Sequence, residues 1–254
     1  MIDIHSHILH GVDDGAKSLD VSLAMLEMAA ASGTTDIVAT PHASVEYRYH
    51  PEIVAERLRE LISATSVPVN IHSGCDFHLT FDNVQDAVAN PTRYTINRKR
   101  YLLVELSDMV IFKSTEPDFL RLQEAGMSLV ITHPERNPLL RQRIDTIRRW
   151  VAMGCFMQVT AQSFFGRFGT KAKNFSETLL DEGLVHFVAS DGHDAKHRPP
   201  TLEEAFKYVS KRRGEKSAVA LFSTNPLAAL NGELIPVLPL PDQAPRRKWF
   251  PAWR

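Results

Sequence analysis

The chain has 254 residues and a net charge of −1, with 44% hydrophobic and 23% charged residues. That is the composition of a globular protein with a large core, and it offers no bulk charge for nucleic acid or a membrane. Two cysteines, Cys75 and Cys155, are too few for a disulfide scaffold and point to a reducing, cytoplasmic setting. The opening MIDIHSH lacks the parts of a secretory signal, and no apolar stretch approaches the roughly 18 residues of a membrane span.

In chain order, the first strand is expected at 1–5 (MIDIH), followed by a helix over 18–33. There Leu19, Leu23, Leu26 and Ala30 share one face, and Gly33 closes the helix. A strand at 36–40 leads to a helix over 51–64 that starts with Pro51. Further strands are expected at 69–74, 101–106, 128–133, 155–161 and 186–190. Their β-branched, continuously apolar character suits strands buried on both faces. Helices are expected over 117–126, 141–154, 174–183 and 201–213, and Asn225-Pro226 opens a last short one.

Seven such strand–helix units predict a parallel sheet with right-handed crossovers, closed into a barrel; an open doubly wound sheet is the alternative. Neither a G-x-G-x-x-G fingerprint nor a Walker A loop is present, which disfavours nucleotide-binding versions of the open sheet. Residues 235–254 differ from the rest. They contain five prolines, and Arg246, Arg247, Lys248 and Arg254 stand beside Trp249, Phe250 and Trp253 without an acid in the last ten residues. This composition predicts an extended or disordered tail, able to touch anionic lipid or a partner weakly or simply to stay solvated.

The chemistry gathers at strand ends. His5 and His7 end the first strand at spacing two, so both point to one face. Asp13 and Asp14 follow. His42 lies past the second strand, Asp76 past the third, Glu105 closes the fourth, His133 the fifth, and Asp191 and His193 the seventh. The sixth offers Gln158 and Gln162. In a β/α barrel the carboxyl ends of the strands converge on one cup. A lone His or Asp at such a place is more often a satisfied polar group or a turn residue, but one shared site explains six strand ends better than six coincidences. Imidazoles mixed with carboxylates suit divalent ions such as Mn²⁺, Fe²⁺ or Zn²⁺, and about nine donors exceed what one ion needs. Two or three ions are implied, a set that activates water for attack on phosphorus. Arg136 and Arg198, on loops at the same mouth, are placed to hold phosphate oxygens, with Lys17 a weaker candidate. His10, His50, His72, His78, His186 and His197 lack the pattern; of these only His10 and His50 lie near enough the mouth to touch substrate. Position 81 is Phe81 and position 161 is Ala161, so neither cysteine has the arginine six residues on that a cysteine phosphatase needs. No G-x-S-x-G elbow occurs.

The opening His5-Ser6-His7 with Asp13-Asp14-Gly15 resembles the PHP (polymerase and histidinol phosphatase) superfamily. The runs MIDIHSHILHGVDDGAKS, IVATPH, LLVELS, ITHPERN, GCFMQV, HFVASDGH and RPP are similar to the bacterial tyrosine phosphatases of capsule and exopolysaccharide loci, from Met1 to about Leu230. The resemblance implies an α/β fold, a distorted (β/α)7 barrel of the PHP type, over residues 1–234. It also implies hydrolysis of phosphotyrosine by a metal-activated water, on the tail of a tyrosine autokinase that controls polysaccharide export. Manganese would be the usual ion, with Fe, Zn or Mg as alternatives. By position, His5, His7, Glu105 and Asp191 match the ligands of one ion, Glu105 and His133 those of a second, and Asp14, His42, Asp76 and His193 those of a third. Arg136 and Arg198 match the family's substrate arginines. The family usually has Glu where this chain has Asp76, whose shorter side chain would reach its ion through water or weaken that site. The rival expectations are a PHP phosphoesterase on a small phosphomonoester such as histidinol phosphate, and a catalytically silent scaffold.

Overall fold

The computed structural model describes residues 1–236; of the segment read as a tail, residues 237–254 lie outside the described residues. β1 (Ile2–Ser6) is buried at all five positions, as a parallel strand covered on both faces must be. It leads to α1 (Leu19–Ala31), whose N-cap Ser18 accepts from Val21 N. Next come β2 (Asp36–Ala39), β3 (His42–Ala43) and α2 (Pro51–Ala64), then β4 (Asn70–Ser73), β5 (Asp76–His78) and α3 (Phe81–Ala89). The second half alternates β6 (Tyr101–Glu105), α4 (Thr115–Glu124), β7 (Ser128–Thr132), α5 (Ile144–Ala152), β8 (Phe156–Thr160), α6 (Thr170–Asp181) and β9 (Phe187–Ala189). It ends in α7 (Glu203–Arg213), α8 (Glu215–Val219) and α9 (Asn225–Asn231). None of these helices is long and apolar enough to cross a membrane.

Every strand pairing is parallel. One sheet has the order β1-β2-β4 and the other β3-β5-β6-β7-β8-β9. The strands expected at 36–40 and 69–74 form as β2 and β4, but each is followed after a short break by an unexpected strand, β3 or β5, that belongs to the other sheet. The breaks have local causes. Pro41 has no N–H to give the ladder. Opposite it, Gly74 lies so close to β2 that a Cβ would stand 2.8 Å from Val38 Cγ1 and 3.1 Å from Thr40 Cγ2. Hydrogen bonds continue across the gap, Gly74 N to Ala39 O at 2.9 Å and Asp76 N to Pro41 O at 3.1 Å. On the far side β1 meets the end of β9: His7 N donates to Gly192 O at 2.8 Å and Asp191 N to His5 O at 2.9 Å. Among the described residues this contact is an isolated bridge, Ser6 to Gly192, rather than a ladder. The result is a parallel α/β fold of barrel type whose two sheets touch edge to edge without a continuous ladder to complete the ring.

Three apolar clusters hold it. Two lie between strands and helices, built on residues such as Leu102, Val104, Phe119 and Trp150, and Met25, Leu26, Ile37 and Leu61. The third joins Leu103, Val130, Phe187 and Tyr101 to Ala229 and Leu230 of α9. Ile235, the first residue assigned to the tail from sequence, is buried in this cluster, and Tyr101 Oη donates to Glu233 O at 2.6 Å. Period-two alternation carries the site upward from this core: on β6, Tyr101 and Leu103 belong to the third cluster and Glu105 continues their face. On β8, Gln158 likewise follows Phe156. α3 was not expected from sequence, because only Val84 and Ala87 of its nine residues are buried; Thr80 nevertheless caps it by accepting from Asn83 N.

Candidate metal centre

His5 and His7 project from the end of β1, both fully buried, with their Nε2 atoms 3.3 Å apart. Each ring is held from behind. His5 Nδ1 lies 2.9 Å from Gln158 Oε1, and His7 Nδ1 lies 2.7 Å from Asp13 Oδ2. This leaves Nε2 of both rings facing the cup, the arrangement in which a partner on one nitrogen orients the other toward a metal. Asp13 is fixed in turn by Gly15 N, which donates to its Oδ1 at 2.9 Å, and by His42 N, which donates to its Oδ2 at 3.1 Å. Gly15 packs so tightly that a Cβ would stand 2.1 Å from the His7 carbonyl oxygen. The Asp-Asp-Gly sequence is thereby explained: Asp13 orients, Asp14 faces the cup, and Gly15 lets the loop close.

The remaining donors converge from the other strand ends. His42 Nδ1 is 3.1 Å from Asp76 Oδ2 and 3.5 Å from Glu105 Oε2, and its Nε2 is 3.3 Å from Asp14 Oδ1. Asp76 Oδ2 is also 3.6 Å from His5 Nε2. Asp191 Oδ1 is 3.5 Å from His5 Nε2, 3.4 Å from His7 Nε2 and 3.5 Å from His193 Nδ1. His133 Nε2 is 3.6 Å from Glu105 Oε1. The ligand atoms form three overlapping groups, each within 4.8 Å: His7, Asp14, His42 and His193; His42, Asp76, His78 and Glu105; and His5, His7 and Asp76. His133 and Asp191 have positive φ, 33° and 51°. Left-handed backbone at a non-glycine residue is strained and marks places where geometry serves a site.

The donor set fits divalent cations. Both oxygens of Asp76, Oε2 of Glu105 and Nδ1 of His42 are buried and, although they crowd against one another and against neighbouring imidazoles, make no well-aligned hydrogen bond among the described residues. Orphaned polar atoms of this kind cost about 1–3 kcal/mol each unless an ion takes them. The electrostatics are those of a crowded anionic cup. Burial, and then the neighbouring Asp76 carboxylate, push Glu105 up. Burial would raise Asp191 too, but Arg136, His5 and Arg198 hold it well below the usual carboxylate range. Burial opposes charge on His7, yet Asp13 outweighs it and lifts the imidazole to about 9, while Asp13 falls to about 2.

The pocket above the cup has a volume of about 390 Å³, and Arg136 and Arg198 line it. Both guanidiniums reach Asp191 Oδ2, Arg198 at 2.5 Å and Arg136 in still closer contact. Both also lie over the Phe168 ring, at 4.3 Å for Arg136 and 5.8 Å for Arg198. The structure thus brings His5, His7, Asp14, His42, Asp76, Glu105, His133, Asp191, His193, Arg136 and Arg198 to one place. Lys17 is exposed and does not line the pocket. His10 and His50 turn away to Glu60 and Glu52, and His72 to Asp36.

One correction concerns His78, set aside on sequence. It sits on β5 two residues after Asp76, so its ring shares that face and contacts Glu105. The sequence reading ended the third strand at Gly74 and hid this spacing. Asp76 lies beside His42, as the resemblance implied, and its oxygens also fall within reach of His5 and His7 and of His78 and Glu105. Phe168 had no sequence signal, because it lies in an irregular loop; Asp13 and Gln158 were visible only as donors without a role.

Comparison with known proteins agrees with this geometry. The family model described as "Capsular polysaccharide synthesis, CpsB/CapC" matches residues 1–231. The chain is 33% identical over 255 residues to the putative tyrosine-protein phosphatase CapC of Staphylococcus aureus, covering 98% of this chain and 99% of CapC. It is 32% identical over 254 residues to the tyrosine-protein phosphatase YwqE of Bacillus subtilis, covering 98% and 99%. Its fold superposes with a TM-score of 0.87 and 32% identity, over 92% of this chain and 96% of the other, on a crystal structure from work on Bacillus subtilis YwqE and Streptococcus pneumoniae CpsB, described there as unique metal-dependent tyrosine phosphatases. The chain belongs to the CpsB/CapC family of capsular polysaccharide synthesis.

Proposed function

We propose that this chain is a cytoplasmic, metal-dependent protein-tyrosine phosphatase, with residues 1–234 as its catalytic domain. It would act on the phosphotyrosine tail of an autokinase that regulates capsule or exopolysaccharide export. The observation that carries this reading is the pairing of two guanidiniums with a buried His/carboxylate cluster in one pocket. His5, His7, Asp14, His42, Asp76, His78, Glu105, His133, Asp191 and His193 would hold two or three ions, Mn²⁺ by preference. Divalent ions there would supply Lewis acidity and lower the pKa of water. The chain's own residues do the rest. Arg136 and Arg198, steadied on Phe168, bind the equatorial phosphate oxygens and offset their growing charge. Asp13 and Gln158 keep His7 and His5 in register. A phenolate leaving group, with pKa about 10, needs little protonation to depart. The cysteines take no part: Cys75 and Cys155 are buried, and burial raises both thiols.

The test is a panel with added Mn²⁺: p-nitrophenyl phosphate, a phosphotyrosine peptide, a phosphoserine peptide and histidinol phosphate. The aryl substrates should be hydrolysed fastest. His42→Ala and Asp191→Ala should abolish turnover, and Cys75→Ala and Cys155→Ala should retain it. Preference for histidinol phosphate, or metal binding with no turnover at all, would overturn the assignment in favour of a small-molecule phosphatase or a scaffold.

A further inference from the structure

Beside the catalytic pocket lies a second one, of about 460 Å³, which the proposed chemistry does not use. Its walls include Gln162, Arg167, Lys196, His197, Pro199 and Glu204. Two neighbouring pairs straddle the ridge between the pockets. In Arg167-Phe168, Phe168 lies against the catalytic arginines while Arg167 lines the second pocket. In His197-Arg198, Arg198 lines the catalytic pocket and His197 the second. At His197-Arg198 the linings of the two pockets are one residue apart, roughly 4 Å along the chain, and at Arg167-Phe168 the second pocket adjoins the ring that supports both catalytic arginines.

The ridge is preformed. Gln162 Nε2 donates to Pro199 O at 3.5 Å, tying the two loops together. Arg167 N donates to Gln162 O at 3.3 Å, and Gly169 N to Gly166 O at 2.9 Å. Asp194 Oδ1 accepts from Lys196 N at 2.6 Å and from His197 N. Arg167, Lys196 and His197 are exposed. Their side chains make no ion pair or hydrogen bond among the described residues, unlike Arg136 and Arg198, which are committed to Asp191. Glu204 is the one acid on the wall, so the fixed cations Arg167 and Lys196 outnumber acids two to one.

We infer that this second pocket is a specificity subsite that binds a carboxylate side chain flanking the phosphotyrosine of the substrate. The inference rests on the phosphatase reading above. An extended peptide advances about 3.3 Å per residue, so with the phosphate between Arg136 and Arg198, a residue within about three positions reaches Arg167 and Lys196. An exposed ion pair is worth about 1 kcal/mol or less, so two such contacts make the site a tuner of substrate choice and not a source of catalysis.

The experiment compares kcat/KM of the Mn²⁺-loaded full chain on matched phosphotyrosine peptides with glutamate, alanine or lysine flanks. p-Nitrophenyl phosphate, too short to reach the second pocket, serves as baseline. The wild type should prefer glutamate over lysine flanks by about three- to tenfold. Arg167→Glu/Lys196→Glu should erase or invert that order while p-nitrophenyl phosphate hydrolysis stays within about twofold. Lys211→Glu/Lys216→Glu changes the net charge equally, on α7 and α8, and should leave the preference intact. A wild type indifferent to flanking charge, a preference that survives the Arg167/Lys196 reversal, or equal loss in the control pair would overturn the subsite. Loss of p-nitrophenyl phosphate turnover in the wild type would instead sink the phosphatase reading itself.

Discussion

His7 shows how much of the centre depends on residues that bind nothing themselves. Its Nε2 faces the cup only because Asp13 takes Nδ1, and Asp13 is fixed by Gly15 N and His42 N. Asp13→Asn keeps the size and loses the charge, so Mn²⁺ affinity should fall about 10- to 100-fold with the fold retained. Calorimetric Mn²⁺ titration beside circular dichroism checks this; unchanged affinity would remove Asp13 from the orienting role. Arg136 stacks on Phe168 and reaches Asp191. Lysine keeps its charge but not the planar fork, so Arg136→Lys should lower kcat on p-nitrophenyl phosphate about 100-fold or more. A variant with near-normal kcat would show that only charge matters there.

At the scale of elements, the loop after β1 closes through a contact only glycine permits. A Cβ on Gly15 would press on the His7 carbonyl oxygen, so Gly15→Ala should cost about 1–3 kcal/mol and disturb His7 with it. Urea unfolding and metal titration on the same variant would show both losses; a neutral substitution would mean the loop relaxes freely. Ahead of β9, His186 Nδ1 accepts from Met157 N at 3.1 Å, which requires the neutral ring, and burial pushes its pKa down to about 4. The folded value lies below the unfolded one of about 6.5. Between those limits the unfolded chain binds a proton that the folded chain refuses. Stability is therefore lost as pH falls from about 6.5 toward 4, by up to about 3 kcal/mol. His186→Gln should flatten this part of the pH dependence of the urea midpoint; a slope identical to wild type would clear His186 of it.

Over the whole molecule, the centre is a junction. His5 and His7 come from one sheet, and Asp76, His78 and Glu105 from the other. Ions held among them would tie together the ends of strands from both sheets, next to the edge where, among the described residues, β1 and β9 meet through the isolated Ser6–Gly192 bridge. Chelation should accordingly lower Tm, and saturating Mn²⁺ should restore about 2.7 kcal/mol at a concentration 100 times Kd. Scanning calorimetry in EDTA and in Mn²⁺ measures this. Identical melting in both would mean that metal binding and folding are uncoupled.

The sequence by itself determined the parallel α/β class and the candidate donors, because both follow from local pattern: continuous apolar runs ending in His, Asp or Glu. It also determined the two arginines, which stand in loops directly after such runs. Only the tertiary structure decided the rest. The breaks after β2 and β4 depend on the close packing of Gly74 against Val38 and Thr40, far apart in sequence, and the added strand β5 is what placed His78 beside Glu105. The roles of Asp13, Gln158 and Phe168 are relations between side chains on different elements, which periodicity does not encode. The second pocket likewise exists only where the loop after β8 meets the loop after β9, and no spacing along the chain announces that meeting.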